Sequence, residues 1–227
     1  MSDEWWMSGE EAEEYHDEED ERRRQSSDRI FRFWMPPPRM KDGKKTESIN
    51  HLTFVDPPVH PEGGFKLPFV YMEHNLHLDG SWKNWFTCPK REAKGDSPAV
   101  PCPLCQAGDK PYLAAAYTII DHSEWKGRDG TVHKDEVKLY IVKSKVLKVL
   151  RRASAKKNGL RGWRVEVCRT DDKAPNTGDQ FDFEDKTELP DDIQPYDYRV
   201  VLAPKSQEEL AGIIGDLDVE GEEAVRF

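Results

Sequence analysis

No apolar run in this chain approaches the roughly 20 residues that a membrane-spanning helix needs. The chain opens on acids and tryptophans (Asp3, Glu4, Trp5, Trp6) rather than on a basic and then apolar leader, so no secretory signal is expected. It has no internal repeat, no glycine-rich phosphate cradle, no paired carboxylates and no Ser/His set placed for nucleophilic catalysis. Apolar residues make up 36% of its 227 residues and charged ones 34%. That is enough for one ordinary domain with tails left outside its core. Cysteine is scarce, with 4 residues, and in a reducing cytosol a cluster of so few favours a metal over disulfides.

The net charge of −10 averages regions of opposite sign. Residues 1–29 hold 4 basic and 12 acidic side chains, residues 81–169 hold 19 and 9, and residues 170–227 hold 5 and 17. A basic middle between acidic ends suits a surface that binds a polyanion. The same blocks could instead be solvated faces.

Three of the cysteines fall within eighteen residues: Cys88 and the pair Cys102-Pro103-Leu104-Cys105. A Cys-x-x-Cys pair sets two thiolates on one turn, and a third cysteine with a histidine completes the tetrahedron that zinc prefers. His74, Cys88, Cys102 and Cys105 are the expected ligands of one structural Zn2+, with His77 as the rival histidine. Cys168 and His122 are weaker candidates. A full set of four protein ligands leaves no open position for catalytic water, and the His-x-Glu of a zinc deaminase is missing beside Pro101-Cys102. The chain is therefore not expected to be an enzyme.

Residues 1–28 read as a disordered acidic leader. Strands are expected over Ile30–Met35, Ile49–Val55, Leu67–Leu78, Tyr112–Asp121, Val137–Val142, Trp163–Cys168 and Tyr198–Ala203. Lys143–Lys157 has helical spacing and ends on Asn158-Gly159, and Pro204–Leu217 allows a short helix. Alternation over Leu67–Leu78 puts His74 with Val70, Met72, Leu76 and Leu78 on one face, and His77 with Tyr71 and Glu73 on the other. Gly80–Lys110 shows little regular structure and is long for a loop unless a metal fixes it. The expected class is mainly β with few helices: an OB-fold, a five-stranded Greek-key barrel, with an inserted zinc loop over 74–110 and disordered acidic termini. The core is drawn over 29–205 and the acidic C-terminal tail over 206–227.

Rings interleave with cations throughout the basic region, a pattern in which bases stack on rings while Lys and Arg follow the phosphates. The nucleic-acid candidates are Trp34, Tyr71, Trp82, Lys83, Trp85, Lys90, Arg91, Tyr112, Trp125, Lys126, Arg128, Lys138, Lys143, Lys145, Arg151, Arg152 and Arg164. Phe33, Phe54 and Phe86 are assigned to the core. In the tail, Asp216, Asp218, Glu220, Glu222, Glu223 and Phe227 are candidates for docking partners.

With these residues in place, the chain resembles the zinc-containing single-stranded DNA-binding proteins of tailed phages, the gene-32-type helix-destabilising proteins. The order His…Cys88…Cys102-Pro103-Leu104-Cys105 carries the resemblance. So do the segments Phe31-Arg32-Phe33-Trp34 and Leu52-Thr53-Phe54-Val55-Asp56, the metal loop between strands, and the acidic tail ending on Phe227. The resemblance spans roughly residues 30–203. It implies an OB-fold that coats single-stranded DNA with little sequence preference in replication, recombination and repair. It also implies a tail that recruits replication and recombination proteins, and a place in the cytoplasm of an infected bacterium, with no membrane involved. The alternatives are a zinc-knuckle RNA-binding or transcription-related module and a zinc-stapled protein-interaction adaptor.

Overall fold

The computed structural model describes residues 31–41, 44–59, 64, 66–78, 81–92, 99–126 and 130–219, with backbone alone at 41, 44, 45, 83 and 215–219. The expected leader, Arg128, Glu220, Glu222, Glu223 and Phe227 lie outside the described residues. From Arg32 onward the described residues cluster as one compact unit.

The strands are β1 (Arg39–Lys41), β2 (Lys44–Thr46), β3 (Ser48–Phe54), β4 (Phe69–Leu78), β5 (Ser81–Thr87), β6 (Tyr112–Asp121), β7 (Trp125–Lys126), β8 (Val132–His133), β9 (Glu136–Lys143), β10 (Trp163–Arg169) and β11 (Gln180–Lys186). The helices are α1 (Pro103–Gln106), α2 (Ser144–Lys157), α3 (Tyr198–Val201) and α4 (Gln207–Val219). The fold is thus mainly β with few helices. Its main sheet has seven strands, in the order β11-β10-β3-β6-β4-β5 with β9 also on β6, and all its strand pairs are antiparallel.

β6 is the axis of this sheet. The run Ala114–Asp121 is buried on both faces. β9 pairs with it from Ala114 to Asp121. Its other edge is divided, with β4 on Tyr112–Ala116 and β3 on Ile119–Asp121. One face carries Ala115, Tyr117 and Ile119 into the core with Phe33, Leu52, Phe54, Tyr140, Val165 and Val167. Helix α2 covers that face with Val146, Leu147 and Leu150, three apolar positions on one side of a 3.6-residue period. It stops at Asn158, whose left-handed backbone (φ 54°) lets Gly159 N–H close onto Ser154. Val149, next to Leu150 in the chain but turned away from this face, is 41% exposed.

The opposite face of β6 is covered by the C-terminal segment. The Thr118 hydroxyl bonds Tyr198 Oη (2.7 Å) and accepts from Tyr196 N–H (3.0 Å). Tyr198 donates to the buried carboxylate of Asp56 (2.7 Å), which also accepts the Thr118 N–H (3.0 Å). Burial pushes the Asp56 carboxyl up to about 7, against the opposing hydrogen bonds from Tyr198 and Thr118 and the charge of Arg161.

Several elements differ from the sequence reading. Tyr198–Val201, β-branched and read as a strand, is a helical turn capped by the Asp197 carboxylate on Arg199 N–H. Ser81–Thr87, read as irregular, is a strand, and so is Gln180–Lys186. Arg32 makes one parallel bridge to Leu139, and no strand forms around it over the described residues 31–35. The chain there leaves β9 at once, because Met35 N–H turns to the Asn176 carbonyl. The start of the expected tail is folded: Ser206 and Glu209 form a reciprocal capping box, and Leu210 is fully buried.

Asp56 makes stability pH-dependent with a defined sign. Its folded-state value lies above the ordinary 3.8, so the folded chain holds this proton more tightly. That contribution is complete below the ordinary value and is lost as pH rises through about 7. Asp56→Asn is expected to reduce the fall in Tm between pH 5 and pH 8 in thermal melts. An unchanged pH profile would refute the assignment.

Candidate metal centre and nucleic-acid interface

The ligand atoms of His74, Cys88, Cys102 and Cys105 all lie within 4.8 Å of one another, close enough to hold a metal ion. Three chain segments deliver them. His74 stands on β4 just past Glu73, the last β4 residue paired with β6. Cys88 follows β5 directly, and its N–H donates to the Met72 carbonyl (2.8 Å), which seats it beside His74 at the base of the β4–β5 hairpin. Cys102 precedes α1 and Cys105 lies within it. Pro103 occupies the first helical position, where no N–H is needed. Gly108, at φ +95°, then reverses the chain so that Asp109 returns to His74. Between Cys88 and Cys102, Arg91 and Val100 exchange two backbone hydrogen bonds (2.8 and 3.0 Å) that close the intervening loop.

Three edges of the group match those of a tetrahedral ion site. Metal–sulfur bonds of about 2.3 Å and metal–nitrogen bonds of about 2.0–2.1 Å require S–S edges of about 3.8 Å and S–N edges of about 3.5 Å. Cys88 Sγ and Cys105 Sγ are 3.6 Å apart, and His74 Nε2 lies 3.5 Å from Cys102 Sγ and 3.6 Å from Cys105 Sγ. His74 Nδ1 is 2.5 Å from Asp109 Oδ2. This carboxylate fixes the tautomer that leaves Nε2 free to coordinate. Burial holds the Cys88 thiol up and, with the neighbouring Cys88 and Cys102, pushes that of Cys105 up to about 12. A central cation reverses that preference by favouring the thiolates.

Strand parity separates the two histidines. His74 is fully buried, whereas His77 is exposed, with its ring 5.0 Å from that of Trp82. Cys168 lies on β10 against Glu166, and His122 is held by Thr53 and Asp135, both apart from the group. An apolar shell encloses the site: Leu76, Leu104 and Leu210 at its centre, with Leu78, Phe86, Ile213 and Ile214 against them. Nothing in the linear order marks α4 as part of this shell.

The other face of β4 carries a row of rings and cations. Glu73, opposite Tyr112, is buried and accepts from Tyr71 Oη (2.7 Å), Tyr112 Oη (2.5 Å) and Arg32 (2.6 Å). Burial, and then Glu73 itself, hold both tyrosine hydroxyls well above their ordinary value, so they remain donors. The Arg32 guanidinium lies 4.5 Å over the Trp85 ring, and Lys143 Nζ lies 4.0 Å over the Tyr112 ring. Burial alternates along residues 32–35. Phe33 and Met35 enter the core, while Trp34 is 50% exposed.

The remaining candidates are scattered. Tyr71 is buried, so it offers no open face for a base. Trp82, near the hairpin tip, and Lys90, Arg91 and Lys126 are exposed, and Lys83 is described by backbone alone. Lys138 pairs with Asp121 and Glu136, and Arg164 with Glu184. Lys145, Arg151 and Arg152 project from α2, which covers the face of β6 opposite Tyr112. Asp216 and Asp218 fall in α4, described there by backbone alone. No helix among the described residues is long and apolar enough to cross a membrane. Comparison with protein families, with curated proteins and with solved structures returns no match.

Removing a ligand should expose the dependence of the hairpin on the ion. Cys102→Ser is expected to lower bound metal, read by elemental analysis, together with Tm. Asp109→Asn should weaken metal affinity by about 10- to 100-fold while the four ligands stay in place. Metal content and Tm that both survive Cys102→Ser would remove the site.

Proposed function

We propose that this chain is a non-enzymatic, sequence-tolerant single-stranded DNA-binding protein whose metal is one structural zinc. The observation that carries this reading is the row of Arg32, Trp85, Tyr112 and Lys143 on one face, beside a hairpin that the His74/Cys88/Cys102/Cys105 group ties down. Three thiolates and one imidazole form a closed set of the kind found in structural zinc sites. The strand order β11-β10-β3-β6-β9, with α2 between β9 and β10, supports a Greek-key barrel of OB type. In such a barrel the second and third strands form the oligonucleotide-binding face.

The magnitudes favour exchange at the rings. A cation over an exposed ring contributes about 0.5–1 kcal/mol. A base on the same ring contributes about 1–3 kcal/mol. An incoming base therefore displaces Lys143 from Tyr112, and the freed ammonium meets phosphate. The role that fits is coating single strands in phage replication, recombination and repair, in the cytoplasm of the infected bacterium. The acidic C-terminal residues would recruit replication and recombination proteins.

Titration of labelled oligo-dT by fluorescence anisotropy tests this, with duplex DNA and single-stranded RNA of equal length as competitors. Tight binding is expected, weakening with salt at a slope of about −0.7 per phosphate neutralised. Trp34→Ala should weaken it by about five- to 100-fold with Tm unchanged. Preference for RNA would favour a zinc-knuckle RNA-binding module. No affinity at low salt would leave the zinc-stapled adaptor.

A further inference from the structure

At the end of β6 remote from Tyr112, the connection to β9 forms the small β7–β8 hairpin, in which Trp125 is paired with His133. The two rings are stacked, with centroids 4.0 Å apart and planes 7° from parallel. Both ring nitrogens meet one carboxylate. Trp125 Nε1–H donates to Glu136 Oε2 (3.0 Å), and His133 Nδ1 lies 2.8 Å from Glu136 Oε1. Lys138 sits 3.2 Å from the same carboxylate. Burial alone would raise the Glu136 carboxyl, but hydrogen bonds from Trp125, Lys138 and His133 outweigh it and hold it below the usual range. The indole is thus fixed on one face and at its polar edge, yet 40% of Trp125 remains exposed. The neighbouring Lys126 is exposed as well.

A rigid ring with one free face beside a cation is what base stacking uses. We infer that Trp125, positioned by His133 and Glu136, is a second base-stacking subsite, separate from the Trp85–Tyr112 row. The inference rests on the single-strand-binding reading and adds a length to it. From Tyr112 to Asp121 the strand makes nine steps of about 3.4 Å, so the strand ends beside which the two subsites lie are about 30 Å apart. A single strand must therefore span several nucleotides to occupy both.

The test is affinity against oligo-dT length, by anisotropy at fixed low salt. For the native chain, affinity should rise in a first increment with short oligomers and in a second, of about tenfold or more, once both subsites are spanned. Trp125→Ala should abolish the second increment and leave short-oligomer affinity unchanged. His133→Ala should weaken the second increment, and His133→Phe, which keeps a planar ring behind the indole, should largely restore it. Thermal melts of each variant check that the β6–β9 end stays folded. If short oligomers bind and Trp125→Ala keeps the native length profile, the pair is hairpin packing and the inference is overturned. If no oligomer binds the native chain, the single-strand reading falls, and this inference falls with it.

Discussion

The fold depends on β6 being buried on both faces while one of its edges is shared. Ala114–Asp121 has no solvent face, so the core with α2 must cover one side and the Tyr196–Leu202 segment the other. Because β3 takes the far part of the divided edge and β4 the near part, β4 runs out of partner at Glu73. Beyond that point it can pair only with β5, and a two-stranded hairpin alone is marginal in water. The group that could hold a metal sits where that shortfall arises: His74 is the first residue past the last pair with β6, and Cys88 directly follows β5. The four ligands and the apolar side chains of α1 and α4 supply the cover that a third strand would have given.

This placement also accounts for the two faces of one strand having different chemistry. On the face shared with the core, Met72 is partly open, whereas His74 and Leu76 are buried beneath the knuckle and α4. On the other face, Tyr71 and Glu73 are buried by each other and by Arg32 and Tyr112. Glu73 and His74 are adjacent, so a metal ion held by His74 on one face would also fix the strand that carries the ring row on the other.

Much of this was legible in the sequence because it depends on local pattern. The apolar run of β6, the Asn158-Gly159 stop of α2, and the cysteine spacing each follow from short-range chemistry. Alternation along β4 favoured His74 over His77, as the burial of the two residues also does. What stayed illegible depends on position in the sheet. Gln180–Lys186 reads as polar because β11 is an edge strand and only Phe181 and Phe183 turn inward. Tyr198–Val201 reads as a strand because Tyr and Val favour one, but the Asp197 cap and the buried Tyr198 hydroxyl override propensity. Tyr71 reads as a free ring because nothing in the linear order shows Glu73 withdrawn beneath it. The acidic C-terminus hides Leu210, Ile213 and Ile214, whose helical spacing matters only once the knuckle is there to receive them.

The two ends of β6 repeat one device. At each, a carboxylate accepts from the polar tip of an aromatic side chain and is neutralised by a cation: Glu73 with Tyr71, Tyr112 and Arg32, and Glu136 with Trp125 and Lys138. A tyrosine or tryptophan held in this way has already lost most of its rotational freedom, so a planar group settling on it gives up less entropy than it would on a mobile ring. The carboxylates are costly to bury unless paired, and each has both a cation and a ring donor. At these two points of an acidic chain the carboxylates are engaged in holding rings in place, and each carries its own neutralising cation.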